Sequence, residues 1–157
     1  MDCGPAKQWP ARHLATLAND RLDQGWQVWL LGSTNDLDVC SDINTSTRGR
    51  CKNLAGKTEL GQVIDLMSRA TAIVSNDSGL MHIAAALNKP LVAIYGSSDP
   101  DFTPPLSDKV KILSLHLSCS PCFKRKCPLG HLDCLNKLEP ERVARAIDSL
   151  LEEENNG

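Results

Sequence analysis

Aromatic residues are scarce in this chain, only 4% of its 157 residues. That argues against a platform of stacked rings for nucleic acid. Charge of one sign is lacking as well. The net charge is −2 and the lysines and arginines are scattered, so a broad basic surface for nucleic acid is disfavoured. No apolar run approaches the ~18–20 residues of a membrane span, so no transmembrane segment is expected. The opening "MDCGPAKQWP" has neither the basic nor the apolar segment of a signal peptide. The expectation is a cytoplasmic protein. With 41% hydrophobic and 23% charged residues, the chain reads as one globular domain with a sizeable core.

Cysteine is plentiful by contrast. There are seven; Cys3, Cys40 and Cys51 stand alone, whereas Cys119, Cys122, Cys127 and Cys134 cluster. An odd total without a signal peptide argues against a secreted disulfide framework. The clustered four, with His116 and His131 nearby, are enough thiols for a tetrahedral zinc site. Their spacing is not the paired CxxC…CxxC of a zinc ribbon, so structural thiols and disulfides stay open beside a metal. Lys124, Arg125 and Lys126, inside the cluster, read as solvated charges or as a surface for an anionic acceptor.

Strands and helices alternate along the chain. From Pro10 the residues Leu14, Leu17, Ala18, Arg21 and Leu22 fall on one helical stripe that ends at Gly25. Residues 27–32, "QVWLLG", read as a buried parallel strand. A weaker helix over 36–43 and a short strand over 51–56 follow. Thr58 is placed to cap a helix carrying Leu60, Val63, Ile64 and Met67. "TAIVS" is a strand, 79–88 a helix, 91–96 a strand, and "KVKILSL" a further strand. Residues 118–138 form a cysteine-rich loop. A last helix begins near Pro140, and residues 152–157 read as a frayed tail. The pattern predicts an α/β fold, a Rossmann-like, doubly wound parallel sheet over residues 1–151. No strand precedes the first helix, where such domains usually open with one.

One stretch breaks the pattern. In "SNDSGLMH", residues 75–82, an apolar strand gives way to several small polar groups and a histidine within one helical turn. Ligands of parallel α/β sheets sit beyond the carboxyl ends of the strands. A helix beginning at Ser78 or Gly79 offers free N–H groups and a positive dipole end to a phosphate. Ser78 and His82, four apart, share a face. Asp77 repels phosphate and makes better sense as an acceptor for ligand hydroxyls or a partner for a cation. The plainer reading is that Asp77 or Ser78 caps the helix and His82 is a half-buried structural residue. Lys7, in a Gly/Pro loop before a helix, reads either as a phosphate-binding point charge or as a surface lysine.

The stretches "GPAKQWP", "LLGS", "NLAGKTEL", "SNDSGLMHIAAALNKPLVAIYGSSDPDFTPP" and "CSPCFKRKCPLGHLDC" resemble, in that order, the C-terminal half of the ADP-heptose:lipopolysaccharide heptosyltransferases. The resemblance runs from about Gly4 to Leu151. It implies a GT-B architecture of two Rossmann-like halves, of which this chain is similar to the donor-binding one. By that likeness Lys7, Asp77, Ser78, Gly79 and His82 surround the diphosphate and sugar of ADP-heptose, and Thr58 flanks the nucleoside. Preorganised charge about the leaving diphosphate is the main demand of such a transfer, and no metal or other cofactor is implied. The family's catalytic base and its lipopolysaccharide core acceptor belong to the N-terminal half, so the resemblance places no catalytic residue in this chain. Ser97 departs from the proline frequent there in the family. Another nucleotide-sugar donor, or a non-catalytic nucleotide- or metal-binding remnant, are the alternatives.

Overall fold

The computed structural model describes residues 5–156. Gly4 and Cys3 lie outside them. Chain contacts divide the described residues into two compact units, one of residues 10–64 and one of residues 5–9 with 65–156.

In the unit of residues 10–64, α1 (Ala11–Asp23) follows Pro10, which sits just before the helix, at its N-cap. The helix buries His13, Leu17 and Arg21, one turn apart, with Ala15 and Ala18. Its end is a Schellman motif. Gly25 takes φ +89°, its N–H bonds Leu22 O, and Trp26 N–H bonds Arg21 O, satisfying carbonyls that the last turn leaves open. Arg21 lies over the Trp26 ring at 5.6 Å. Strands β1 (Trp29–Leu30) and β2 (Lys52–Asn53) pair in parallel. They are shorter than the sequence suggests, although bonds from Leu54 to Leu30 and from Gly56 to Gly32 carry the contact onward. Between them a 3-10 turn at Thr34–Asp36, opened by Ser33 and Asp36 in a capping box, leads into α2 (Leu37–Ser46). Cys40 and Ile43 of α2 are buried.

Helix α3 (Leu60–Ser68) confirms the amphipathic segment but corrects its start. Thr58 does not cap it, for its Oγ1 is buried without a partner. The backbone N–H of Glu59 instead bonds Gln62 Oε1.

The other unit is built on a three-stranded parallel sheet in the order β3 (Ile73–Asn76), β4 (Leu91–Ile94), β5 (Val110–Leu113). Every residue of the central β4 is buried, which explains its unbroken apolar run. The register sets Asn76 beside Ile94 and Ile94 beside Leu113, so all three strands end level. Helix α4 (Gly79–Ala86) packs on β3 and β4, and α6 (Pro140–Asn156) on β4 and β5. Just past the Leu87 C-cap of α4, Asn88 takes a left-handed φ of +56°, which suits asparagine. Helix α6 buries Val143, Ile147 and Leu150, a stripe of i, i+4, i+7 spacing. A short α5 (Asp133–Asn136), not foreseen in the sequence, precedes it. The fold is thus the expected parallel α/β type, with its strands in two separate sheets.

Helix α6 continues to Asn156, although three glutamates at a helix C-terminus oppose its dipole. Lys111 binds Glu153 at 2.7 Å and Lys109 binds Glu154 at 3.0 Å, which offsets that cost. No helix among the described residues is long and apolar enough to cross a membrane.

Candidate functional site

The carboxyl ends of β3 and β4 carry the polar groups of interest. A 3-10 turn at Pro5–Lys7 lies against them. Trp9 anchors it. The indole is 1% exposed, its Nε1–H bonds Leu138 O at 2.9 Å, and its backbone N–H bonds Asn76 Oδ1 at 3.1 Å. Gly96, just past β4, permits the approach. A Cβ there would stand 2.8 Å from Ala6 O and from the Leu135 side chain, closer than any real contact, and Ser97 N–H bonds the same Ala6 O.

That packing delivers Lys7 to Asp77. Lys7 Nζ lies 3.2 Å from Asp77 Oδ2, the lysine side chain being 35% exposed and the aspartate 7%. Ser98 Oγ donates to the same Oδ2 at 2.5 Å. The Asp77 backbone N–H bonds Ile94 O, which fixes the residue to the sheet. Asp77 is therefore a cation's partner, and the capping role is excluded because its carboxylate is turned to Lys7 and Ser98. Ser78 takes the N-cap position in extended backbone and does not cap either. Its hydroxyl lies 3.3 Å from Ser75 Oγ. The start of α4 at Gly79 thus keeps N–H groups without a capping side chain, beside a half-exposed ammonium group. An anion at this place would meet backbone donors, the helix dipole and Lys7 together. His82 stands exposed one turn into α4, which removes the half-buried structural reading.

Thr58 belongs to the other compact unit, where its hydroxyl is buried without a partner. Ser98 and Tyr95 were missed in the sequence. Tyr95 is fully buried; burial first, and the Asp77 charge second, raise its phenol's pKa. Its hydroxyl donates to Thr103 O at 2.7 Å, tying the loop after β4 to the sheet end. The usable signal was topological: "GSSDP" follows a strand that pairs with the one ending at "SND", so both loops reach the same edge.

The cysteine-rich loop is stitched to the same edge by Ser120 Oγ–H to Gly96 O, Phe123 N–H to Ser97 O and Ala6 N–H to Arg125 O. Cys119, Cys122, Cys127 and Cys134 are free thiols, as are Cys40 and Cys51. Among the described residues no group of three or more His, Cys, Asp or Glu side chains is disposed to hold a metal ion. Lys124 and Lys126 are exposed.

Comparison with known proteins gives this geometry a setting. Residues 3–133 match the family model of glycosyltransferase family 9 (heptosyltransferase). The chain is 46% identical over 155 residues to lipopolysaccharide heptosyltransferase 2 of Escherichia coli, covering 96% of this chain and 44% of that protein. It is 52% identical over 116 residues to lipooligosaccharide heptosyltransferase 2 of Haemophilus influenzae, with 71% and 34% covered. The solved structure of E. coli ADP-heptose lps heptosyltransferase II superposes with a TM-score of 0.83 at 45% identity, covering 97% of this chain and 44% of that one. The chain therefore spans less than half the length of the relatives it matches.

Proposed function

The chain belongs to glycosyltransferase family 9, and from that premise we propose that it is the donor-binding half of a heptosyltransferase of lipopolysaccharide inner-core synthesis, working in the cytoplasm. Its ligand in this reading is ADP-heptose, held by the diphosphate at the start of α4. The observation that carries the reading is the Lys7–Asp77–Ser98 arrangement beside the uncapped N-terminus of α4.

Lys7 supplies the charge. In the free protein Asp77 holds the ammonium group near the helix start, and its exposed side lets it turn to a phosphate oxygen as a point charge. Backbone N–H groups from Gly79 onward supply directional donors. Asp77, pinned by Ser98, keeps its distance from the anion through Lys7 and can accept from sugar hydroxyls. His82 on the exposed side of α4 adds a ring N–H donor toward the phosphate. As the glycosidic bond breaks, negative charge grows on the leaving diphosphate, and these groups are already oriented toward it. Thr58 is kept as a weak nucleoside-flanking group. The lipopolysaccharide core acceptor, and the base that activates it, are assigned to no residue of this chain.

Backbone amide resonances of the free chain test the reading. Addition of ADP should shift Ser78, Gly79 and His82 before any residue between Cys119 and Cys134. Shifts confined to the cysteine loop would refute it. A related transferase with another nucleotide sugar would show the same pattern with a different preferred base.

A further inference from the structure

The clustered thiols take no part in the site above, yet all four line one small cavity together with Ser97 and His131. Its volume is about 20 Å³, room for roughly one water-sized molecule. The four thiols are unlike in chemistry. Backbone N–H groups about the Cys127 sulfur, that of Leu132 foremost, favour the thiolate and hold its pKa below the ordinary thiol range. Cys134 goes the other way. Burial first, then the neighbouring Cys119, Cys127 and Cys122, raise its pKa. A thiol biased toward its thiolate thus shares a cavity with one biased toward its protonated form. Ser97 adds an independent observation. Ser97, 1% exposed, lines the same cavity, and its hydroxyl has no partner. A buried polar group of this kind calls for a missing oxygen or nitrogen partner.

We propose that Cys127 and Cys134 form a hydroperoxide-reactive pair, with Cys127 attacking and Cys134 resolving. Hydrogen peroxide fits the cavity's size and can accept from or donate to Ser97. The Cys127 thiolate attacks one peroxide oxygen; the S–O bond forms, the O–O bond breaks, and the departing hydroxide takes a proton to leave as water. Cys127 is then a sulfenic acid. The Cys134 sulfur attacks it, giving up its proton as the S–O bond breaks and a second water leaves. Two thiols are oxidised to one disulfide and one peroxide is reduced to two waters.

The test treats the reduced whole chain with equimolar hydrogen peroxide, blocks remaining thiols, and maps the cysteine peptides by mass spectrometry. A Cys127–Cys134 disulfide is expected, formed about tenfold or more faster than any oxidation of Cys40, since rate follows the thiolate fraction. Cys40 is the internal control: burial, then Asp36, push its thiol up to about 11. In Cys134→Ser a sulfenic acid should accumulate and be trapped by a dione reagent at Cys127, a readout that does not need the disulfide. Oxidation of Cys40 as fast as of Cys127 would overturn the proposal. So would a trapped sulfenic acid elsewhere, or a metal ion retained by the purified chain that leaves all four thiols unreactive.

Discussion

Replacing Lys7 by methionine keeps an unbranched apolar stem of nearly the same length and removes the ammonium group. The structure sets the size of the effect. Asp77 Oδ2 receives two groups, Lys7 Nζ at 3.2 Å and Ser98 Oγ at 2.5 Å, and after the substitution a carboxylate 7% exposed keeps only the hydroxyl. Breaking a fully buried pair costs about 3–5 kcal/mol, and an exposed pair contributes about 0–1 kcal/mol. The lysine is about one-third exposed, so screening places this pair between them, at about 1–2 kcal/mol of folding stability. Asp77→Asn removes the same pair from the other side at lower cost. The amide oxygen still accepts from Ser98, and the freed ammonium group can extend into water, for a loss below about 1 kcal/mol. Affinity for ADP should follow a different order. Lys7→Met removes a charge-assisted contact of about 1.5–3 kcal/mol, roughly ten- to 150-fold in Kd, whereas Asp77→Asn removes a repelling carboxylate and leaves ADP affinity equal or better. Urea denaturation and calorimetric titration of both variants measure the two orders. If Asp77→Asn is the more destabilising, or if Lys7→Met binds ADP as the parent does, the reasoning is wrong.

Gly96→Ala should lower stability and ADP affinity together, because the new Cβ displaces Ala6 O and Lys7 moves with it; thermal melting with and without ADP checks this. Gly79→Ala should leave the melting temperature equal or slightly higher, since alanine favours helix by about 1 kcal/mol over glycine, and still weaken ADP by standing between backbone and phosphate. Trp9→Phe removes the buried indole bond to Leu138 O and leaves that carbonyl unpaired, a loss of about 1–3 kcal/mol visible in urea denaturation. The end of α6 should loosen in acid. Hydrogen bonding from Lys111 holds the Glu153 carboxyl below its ordinary range, so its contribution is full above the ordinary glutamate value and is lost as pH falls through the depressed one. Amide exchange at residues 150–156, with Lys111→Met as the control that removes the effect, checks the sign.

The sheet was legible because its residues obey simple rules. An unbroken apolar run marked β4, and glycine, asparagine and proline marked the ends of α1 and α4. Thr58 misled because residue type suggests a cap while only geometry shows whether the hydroxyl reaches an N–H; it is Gln62 whose side chain accepts from the Glu59 N–H at the helix start. The length of the last helix was harder to read, because glutamates at a helix end look unfavourable until Lys111 of β5 and Lys109 just before it are placed beside them. At the site, the sequence offered Lys7 and Asp77 as separate candidates 70 positions apart. Their pairing depends on Gly96 and Trp9, which carry no chemistry of their own and so gave no signal as site residues. Ser98 was hidden for a similar reason. Its role follows from the β3–β4 register, which sequence periodicity does not specify.

The central claim, that the start of α4 with Lys7 holds the diphosphate of an adenine nucleotide sugar, is tested most directly by calorimetric titration of the chain with ADP, UDP and GDP. The account predicts that ADP binds more tightly than the other two, and that Lys7→Met weakens all three by a similar factor because the lysine reads only the phosphates. Equal binding of the three nucleotides, tighter binding of UDP, or indifference to Lys7 would contradict it.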